Sequence, residues 1–113
     1  QKEVIQIITR LPFDNPKELM VQKINAQLRD QGKNPFYDYS LPVAILRLKQ
    51  AIGRTSRSDE QESLVLLLDQ RVLTKRYGKQ ILDGLKQVLP LQTTLRSQLV
   101  DQVLLFFERN TEK

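Results

Sequence analysis

Residues 40–57, SLPVAILRLKQAIGRTSR, read as one helix with two different faces. Leu41, Ile45, Leu48 and Ile52 recur at spacings of four, three and four, with Ala44 and Ala51 beside them. That is an apolar stripe of helical period, fit for burial. Arg47, Gln50, Arg54 and Arg57 recur at spacings of three, four and three and form a second, polar and basic stripe. A helix that buries one side and aligns arginines and a glutamine on another can bind an anion. Ser40 is the expected cap, with Pro42 tolerated in the first turn. Gly53 inside a helix costs about 1 kcal/mol against alanine. The sequence therefore predicts that something passes close to Gly53, or that the helix ends there and Arg54 turns outward.

Upstream, Lys33 to Tyr39 (KNPFYDY) reads as a loop. Its rings either anchor the loop on the core, the commoner use, or stack on bases. Before it, Asn15-Pro16-Lys17-Glu18 starts a helix: Asn15 can cap, Pro16 fits the first position and Glu18 can reach back. Leu19 or Met20, Ile24 and Leu28 mark its inner face, and Gly32 offers the left-handed residue that closes it, for about four turns. Val4 to Leu11 (VIQIITRL) is nearly continuous in apolar character and rich in β-branched residues. It reads as a strand buried on both faces, as in a parallel sheet, stopped by Pro12. Arg10 sits near its carboxyl end, the edge where open α/β sheets gather ligands, but an ordinary surface arginine is the simpler reading.

Downstream, Thr55, Ser56 and Ser58 favour a turn, and Asp59 to Glu62 form an acidic surface loop. Leu64 to Leu68 is a second doubly buried strand that ends at Asp69. The Asp69 carboxylate can fix an arginine, cap the next helix or ligate a metal. With Arg71 two residues on, structural support through Asp69 and Arg71 is favoured, and a lone carboxylate is a poor metal site. A helix is expected from Arg71 to Leu85, with Leu73, Tyr77, Ile81 and Leu85 inward. Arg71, Lys75, Arg76 and Lys79 make its basic outer face, either a nucleic-acid contact or a solvated surface. Pro90 breaks the chain. Thr94 to Arg109 is a last amphipathic helix, capped by Thr93 or Thr94, with Leu95, Leu99, Val103 and Phe106 or Phe107 on its face.

Strands alternating with helices indicate an α/β layer with parallel strands and right-handed crossovers. The 113 residues allow one domain, and the balance of 40% hydrophobic to 27% charged residues marks it as globular. A net charge of +5 suits a nucleic-acid or nucleotide partner without demanding one. Cysteine and histidine are both absent, which excludes disulfides, thiol or imidazole catalysis and a soft metal site. No apolar run reaches the roughly 20 residues of a membrane span, so the cytoplasm is the default location. The chain begins with Gln1, and the expectation is a fragment of a longer protein.

The set Gln50-Ala-Ile-Gly53-Arg54-Thr-Ser-Arg57 has the form QxxGRxxR. It resembles the sixth motif of superfamily 2 helicases, in the second RecA-like motor domain. The flanks resemble the DinG and XPD-type members of that group: Ile7 to Phe13 followed by Asn15-Pro16, then Asn34-Pro-Phe36 with Leu41-Pro42, then Leu66-Leu-Leu-Asp69-Gln-Arg71 followed by Tyr77-Gly78. Order and spacing agree from about Val4 to about Leu85, while the last quarter carries no such motif. The resemblance implies a partial RecA-like, three-layer α/β fold, with residues 1–88 as its motif-bearing part and 89–113 as a C-terminal helix. It implies ATP with Mg2+, held mainly by parts absent from this chain, which has no GxxxxGK[ST] loop and no Asp-Glu-x-His box. Arg54 and Arg57 then correspond to the arginines that reach the triphosphate, with Gly53 at the nucleotide and Gln50 in a polar role near it or in linking the domains. Single-stranded or forked DNA is the implied partner of the whole protein.

Two other readings stand beside this one. DinG-like proteins with an exonuclease domain would use such a module for regulation, and a basic α/β binding domain would match the motif by chance. Two strands alone leave open sheet edges. A second copy, or another piece of the same protein, is expected to complete the sheet.

Overall fold

The computed structural model describes residues 2–55, 61–87 and 98–111. Two strands, β1 (Lys2–Ile8) and β2 (Gln61–Leu67), pair in parallel, with Lys2 opposite Gln61 through Ile8 opposite Leu67. The Leu68 N–H donates to the Ile8 carbonyl at 2.9 Å and closes the ladder. β1 stops three residues short of the expected Leu11. Beyond Ile8 the Asp69 side chain, rather than a strand carbonyl, meets the Leu11 N–H. Leu11 is nevertheless buried in the core.

Between the strands run α1 (Leu19–Asp30) and α2 (Leu41–Thr55). α1 begins later than its sequence suggests and has about three turns. Asn15 Oδ1 accepts the Lys17 N–H at 2.9 Å, and the Asn15 carbonyl accepts the Glu18 N–H at 3.1 Å. Asn15 thus closes a turn of its own before the helix, and Glu18 is the N-cap without a side-chain cap bond. Gly32 ends α1 as expected, at φ 76°. Its N–H reaches the Arg29 carbonyl while the Lys33 N–H reaches Leu28, the paired bonds of a Schellman close.

The expected loop at 33–39 is instead a helical entry. Phe36–Ser40 form one π turn that runs directly into α2. Asn34, not Ser40, is the cap: its Oδ1 accepts from the Phe36 and Tyr37 N–H groups, and Asp38 Oδ2 accepts from the Asn34 N–H at 2.7 Å. The wider turn has a cause in the sequence. Pro42 has no N–H to give to the Asp38 carbonyl and its ring would press on it. The Leu41 N–H bonds to Phe36 five residues back, which relieves that crowding.

Along α2, Leu41, Leu48 and Ile52 of the stripe are buried, with Ala44 beside them, while Ile45 is half-buried. They join Leu11, Val72, Ile81 and Leu85, with Ile8, Phe13, Phe36, Ile45, Val65 and Leu67 packed around them. α2 runs against the strand direction. Arg47 reaches the Pro12 carbonyl beyond the end of β1, whereas Gln6 within β1 donates to the Ala51 carbonyl. The Arg54 end of α2 therefore lies toward the starts of the strands. The described residues cover the sheet incompletely. Ile7 is 57% exposed and Leu68, just past β2, 45%, so the described residues do not bury both faces of the strands as expected.

The expected helix from Arg71 to Leu85 is two helices, α3 (Arg71–Thr74) and α4 (Gly78–Lys86). Lys75 is extended between them, and Gly78 lies so close to Val72 that a Cβ would collide with the Val72 carbonyl. That approach turns the chain, and a glycine is needed to permit it. α5 (Leu99–Thr111) follows, with Leu99, Val103 and Phe106 half-buried. Pro90, Thr93, Thr94 and Leu95 lie outside the described residues. Among the described residues no helix is long and apolar enough to cross a membrane.

Candidate functional site

The last turns of α2 present Gln50 and, about one turn on, Gly53 and Arg54 as an exposed strip. Among the described residues neither Gln50 nor Arg54 makes a side-chain hydrogen bond or ion pair. Outside its own helix, nothing lies within 4 Å of the place a Gly53 Cβ would take. The close neighbour expected at Gly53 is therefore not supplied by the described residues, and the helix runs on through Gly53 to Thr55. Arg57 lies outside the described residues.

Arg47 belongs to the same stripe but not to the same environment. Its guanidinium donates to Asp14 Oδ1 at 2.8 Å, to Asp14 Oδ2 at 3.4 Å and to the Pro12 carbonyl at 3.1 Å. The Asp14 hydrogen bonds hold the guanidinium charged, raising its pKa above the ordinary value. Arg47 thus ties α2 to the segment after β1, leaving Gln50 and Arg54 as the outward members.

A second cluster forms at the opposite, carboxyl edge of the sheet. Asp69 Oδ2 accepts the Leu11 N–H at 2.9 Å, and Asp69 Oδ1 accepts the Arg71 N–H at 3.1 Å. Arg71 Nε meets both carboxylate oxygens at 3.0 Å and its terminal nitrogen meets Oδ2 at 2.5 Å. The hydrogen bond from Arg71, with the two backbone donors, holds the Asp69 carboxyl well below the usual carboxylate range despite the opposing effect of burial. The Arg71 guanidinium also lies 5.5 Å from the Phe13 ring centroid. Lys75, Arg76 and Lys79 are exposed, but they fall on the break and on α4. They do not share one helix face with Arg71.

Two clefts of about 410 and 420 Å³ flank Arg71. The first has a ring wall. Phe13, Phe36 and Tyr77 pack with centroids 5.5, 5.7 and 4.9 Å apart. Phe36 therefore anchors the π turn on the core, while Tyr37 remains exposed. The second cleft is polar and holds Thr9, Arg10 and Asp69. Two further polar groups carry no motif. Gln6 Oε1 and Asn25 Oδ1 are buried without a hydrogen-bond partner. A signal for each is present in the sequence: Gln6 interrupts an apolar strand, and Asn25 stands four residues from Val21 on the inner side of α1.

The family model of the helicase C-terminal domain matches residues 2–88. The chain is 38% identical over 98 residues to the 3'-5' exonuclease DinG of Bacillus subtilis, covering 87% of this chain and 10% of that protein. It is 38% identical over 79 residues to the ATP-dependent DNA helicase DinG of Photobacterium profundum, covering 70% and 11%. It is 32% identical over 79 residues to the ATP-dependent DNA helicase YoaA of Escherichia coli, covering 70% and 12%. The chain thus spans about a tenth of the length of these relatives. No solved structure matches it. With the family model spanning most of the chain and DinG-type proteins matching 70–87% of it, the chain belongs to the helicase C-terminal domain family, in its DinG-type group.

Proposed function

We propose that this chain is the C-terminal part of the second RecA-like motor domain of an ATP-dependent DNA helicase, and that Arg54 and Arg57 act as arginine fingers. The observation that carries this reading is the exposed Gln50, Gly53 and Arg54 strip, which has no partner among the described residues. Phosphoryl transfer concentrates negative charge on the transferred group, and arginine offers a planar, permanently charged fork to meet it. Arg54 and Arg57 would reach across a cleft to the triphosphate, ATP with Mg2+, held by the first motor domain. Gln50 would add a polar contact, and Gly53 would let the facing surface approach. Residues 1–88 would be the motif-bearing part of a three-layer domain, and 89–113 a helix appended to it. The open edges of the two-stranded sheet support its completion by the remainder of the same protein or a second copy, and the exposed Ile7 supports a further covering layer. Single-stranded or forked DNA in repair or replication, within the cytoplasm, is the proposed setting. The test is ATP turnover by the full-length protein with and without single-stranded DNA, alongside displacement of a labelled strand from a fork. Turnover that DNA does not stimulate, with no displacement, would count against it.

A second reading has one observation in its favour. The match to the exonuclease DinG covers 98 residues of the chain, beyond the 79 shared with the DinG helicase of Photobacterium profundum. In that reading the module regulates a nuclease. Degradation of a 3'-labelled strand without displacement would select it.

A further inference from the structure

We propose that the two clefts flanking Arg71 form a seat for one unpaired nucleotide, with the base in the ring-walled cleft and its phosphate at Arg10. The inference rests on the reading that the parent protein binds single-stranded DNA. It concerns the carboxyl edge of the sheet, not the Arg54 end of α2.

The first cleft has the makings of a base pocket. It is an open depression of about 410 Å³ with a mainly apolar lining. Phe36 and Tyr77 supply aromatic surface, and bases pack on such surface whatever their sequence; the Phe13 ring beside them is already covered by Arg71. Asn25 lines the same cleft and its Oδ1 is buried without a partner. An unsatisfied acceptor is costly, and a base edge brings N–H donors. Because this oxygen is unbonded, turning the amide about its soft terminal torsion toward the opening breaks no hydrogen bond to it.

The second cleft suits a phosphate. Arg71 lines both clefts and stands between them, its charge engaged by Asp69. Arg10, exposed in the second cleft beside Thr9, has no ion pair among the described residues. An arginine and a hydroxyl are ordinary phosphate partners. Arg29 on the rim of the first cleft adds another cation. An apolar peptide side chain would fill the ring-walled cleft but leave Asn25 unsatisfied and find no use for these cations. A nucleotide uses both Asn25 and Arg10.

The experiment takes the full-length parent protein and two labelled strands of equal length, an oligothymidylate and one made wholly of abasic sites. Asn25→Leu removes the acceptor at similar volume, and replacing an unsatisfied buried amide is compatible with folding. The expected result is roughly tenfold weaker binding of oligothymidylate and unchanged binding of the abasic strand. Arg10→Gln should weaken both strands alike and lower the salt slope by about one. Independently, 5-iodouracil in the strand should crosslink the wild-type protein at Phe36 or Tyr77. Asn25→Leu binding both strands like wild type, or losing both equally, would overturn the seat, as would crosslinks mapping only elsewhere. Failure of the wild-type protein to bind either strand would instead remove the DNA-binding reading beneath it.

Discussion

Asp69 Oδ2 accepts the backbone N–H of Leu11 at 2.9 Å, joining residues 58 apart in sequence. The carboxylate does at this edge what a further rung of the ladder would otherwise do, and it holds Arg71 over Phe13 as well. Its pKa is depressed in the fold, chiefly by Arg71. The resulting stability is fully present above the ordinary carboxylate value of about 3.9 and is lost as pH falls toward the depressed folded value. Asp69→Asn should lower stability by about 1–2 kcal/mol at neutral pH, the partial exposure of Arg71 limiting the loss. Urea unfolding at pH about 7 and about 3 checks the sign: the gap from wild type should narrow at the lower pH. A gap that widens there would contradict the assignment.

Two glycines should respond in opposite directions. Gly78→Ala drives a methyl into the Val72 carbonyl and should cost about 1–3 kcal/mol. Gly53→Ala meets open space inside a helix and should leave stability unchanged or raise it by up to about 1 kcal/mol. Thermal unfolding of the two variants side by side separates them.

Arg47 and Arg54 share a stripe in sequence but not a role in the fold. Arg47 is paired with Asp14 across a partly exposed surface, so Arg47→Ala should cost no more than about 1 kcal/mol. A double-mutant cycle with Asp14→Ala should return a coupling of that size or less. ATP turnover by the parent protein should survive Arg47→Ala.

The burial of α2 is legible in the sequence because a helical stripe has a single way to be buried: Leu41, Leu48 and Ile52 take it fully and Ile45 in part. The Gly32 close is legible for a similar reason, since few residues accept positive φ. The π turn at 36–40 is harder to read. It arises from Pro42 acting backward on a segment rich in rings, with Asn34 taking the cap from Ser40. The break at Lys75 also escapes periodicity, because Tyr77, Ile81 and Leu85 keep helical spacing while the turn before them is set by the contact of Gly78 with Val72. Apolar runs cannot say whether both faces of a sheet are covered within one chain, and here Ile7 is bare. At the candidate site, the motif picks out Gln50, Gly53 and Arg54. It cannot tell that Arg47 is engaged elsewhere, because Asp14 is distant in sequence.

The finger role of Arg54 is tested most directly by ATP turnover of the full-length protein on single-stranded DNA, comparing wild type with Arg54→Ala and Arg57→Ala. The expected result is a loss of turnover of ~10² or more for either variant, about 2.7 kcal/mol of barrier, with nucleotide binding and folding retained. Turnover at the wild-type rate by both variants would contradict it.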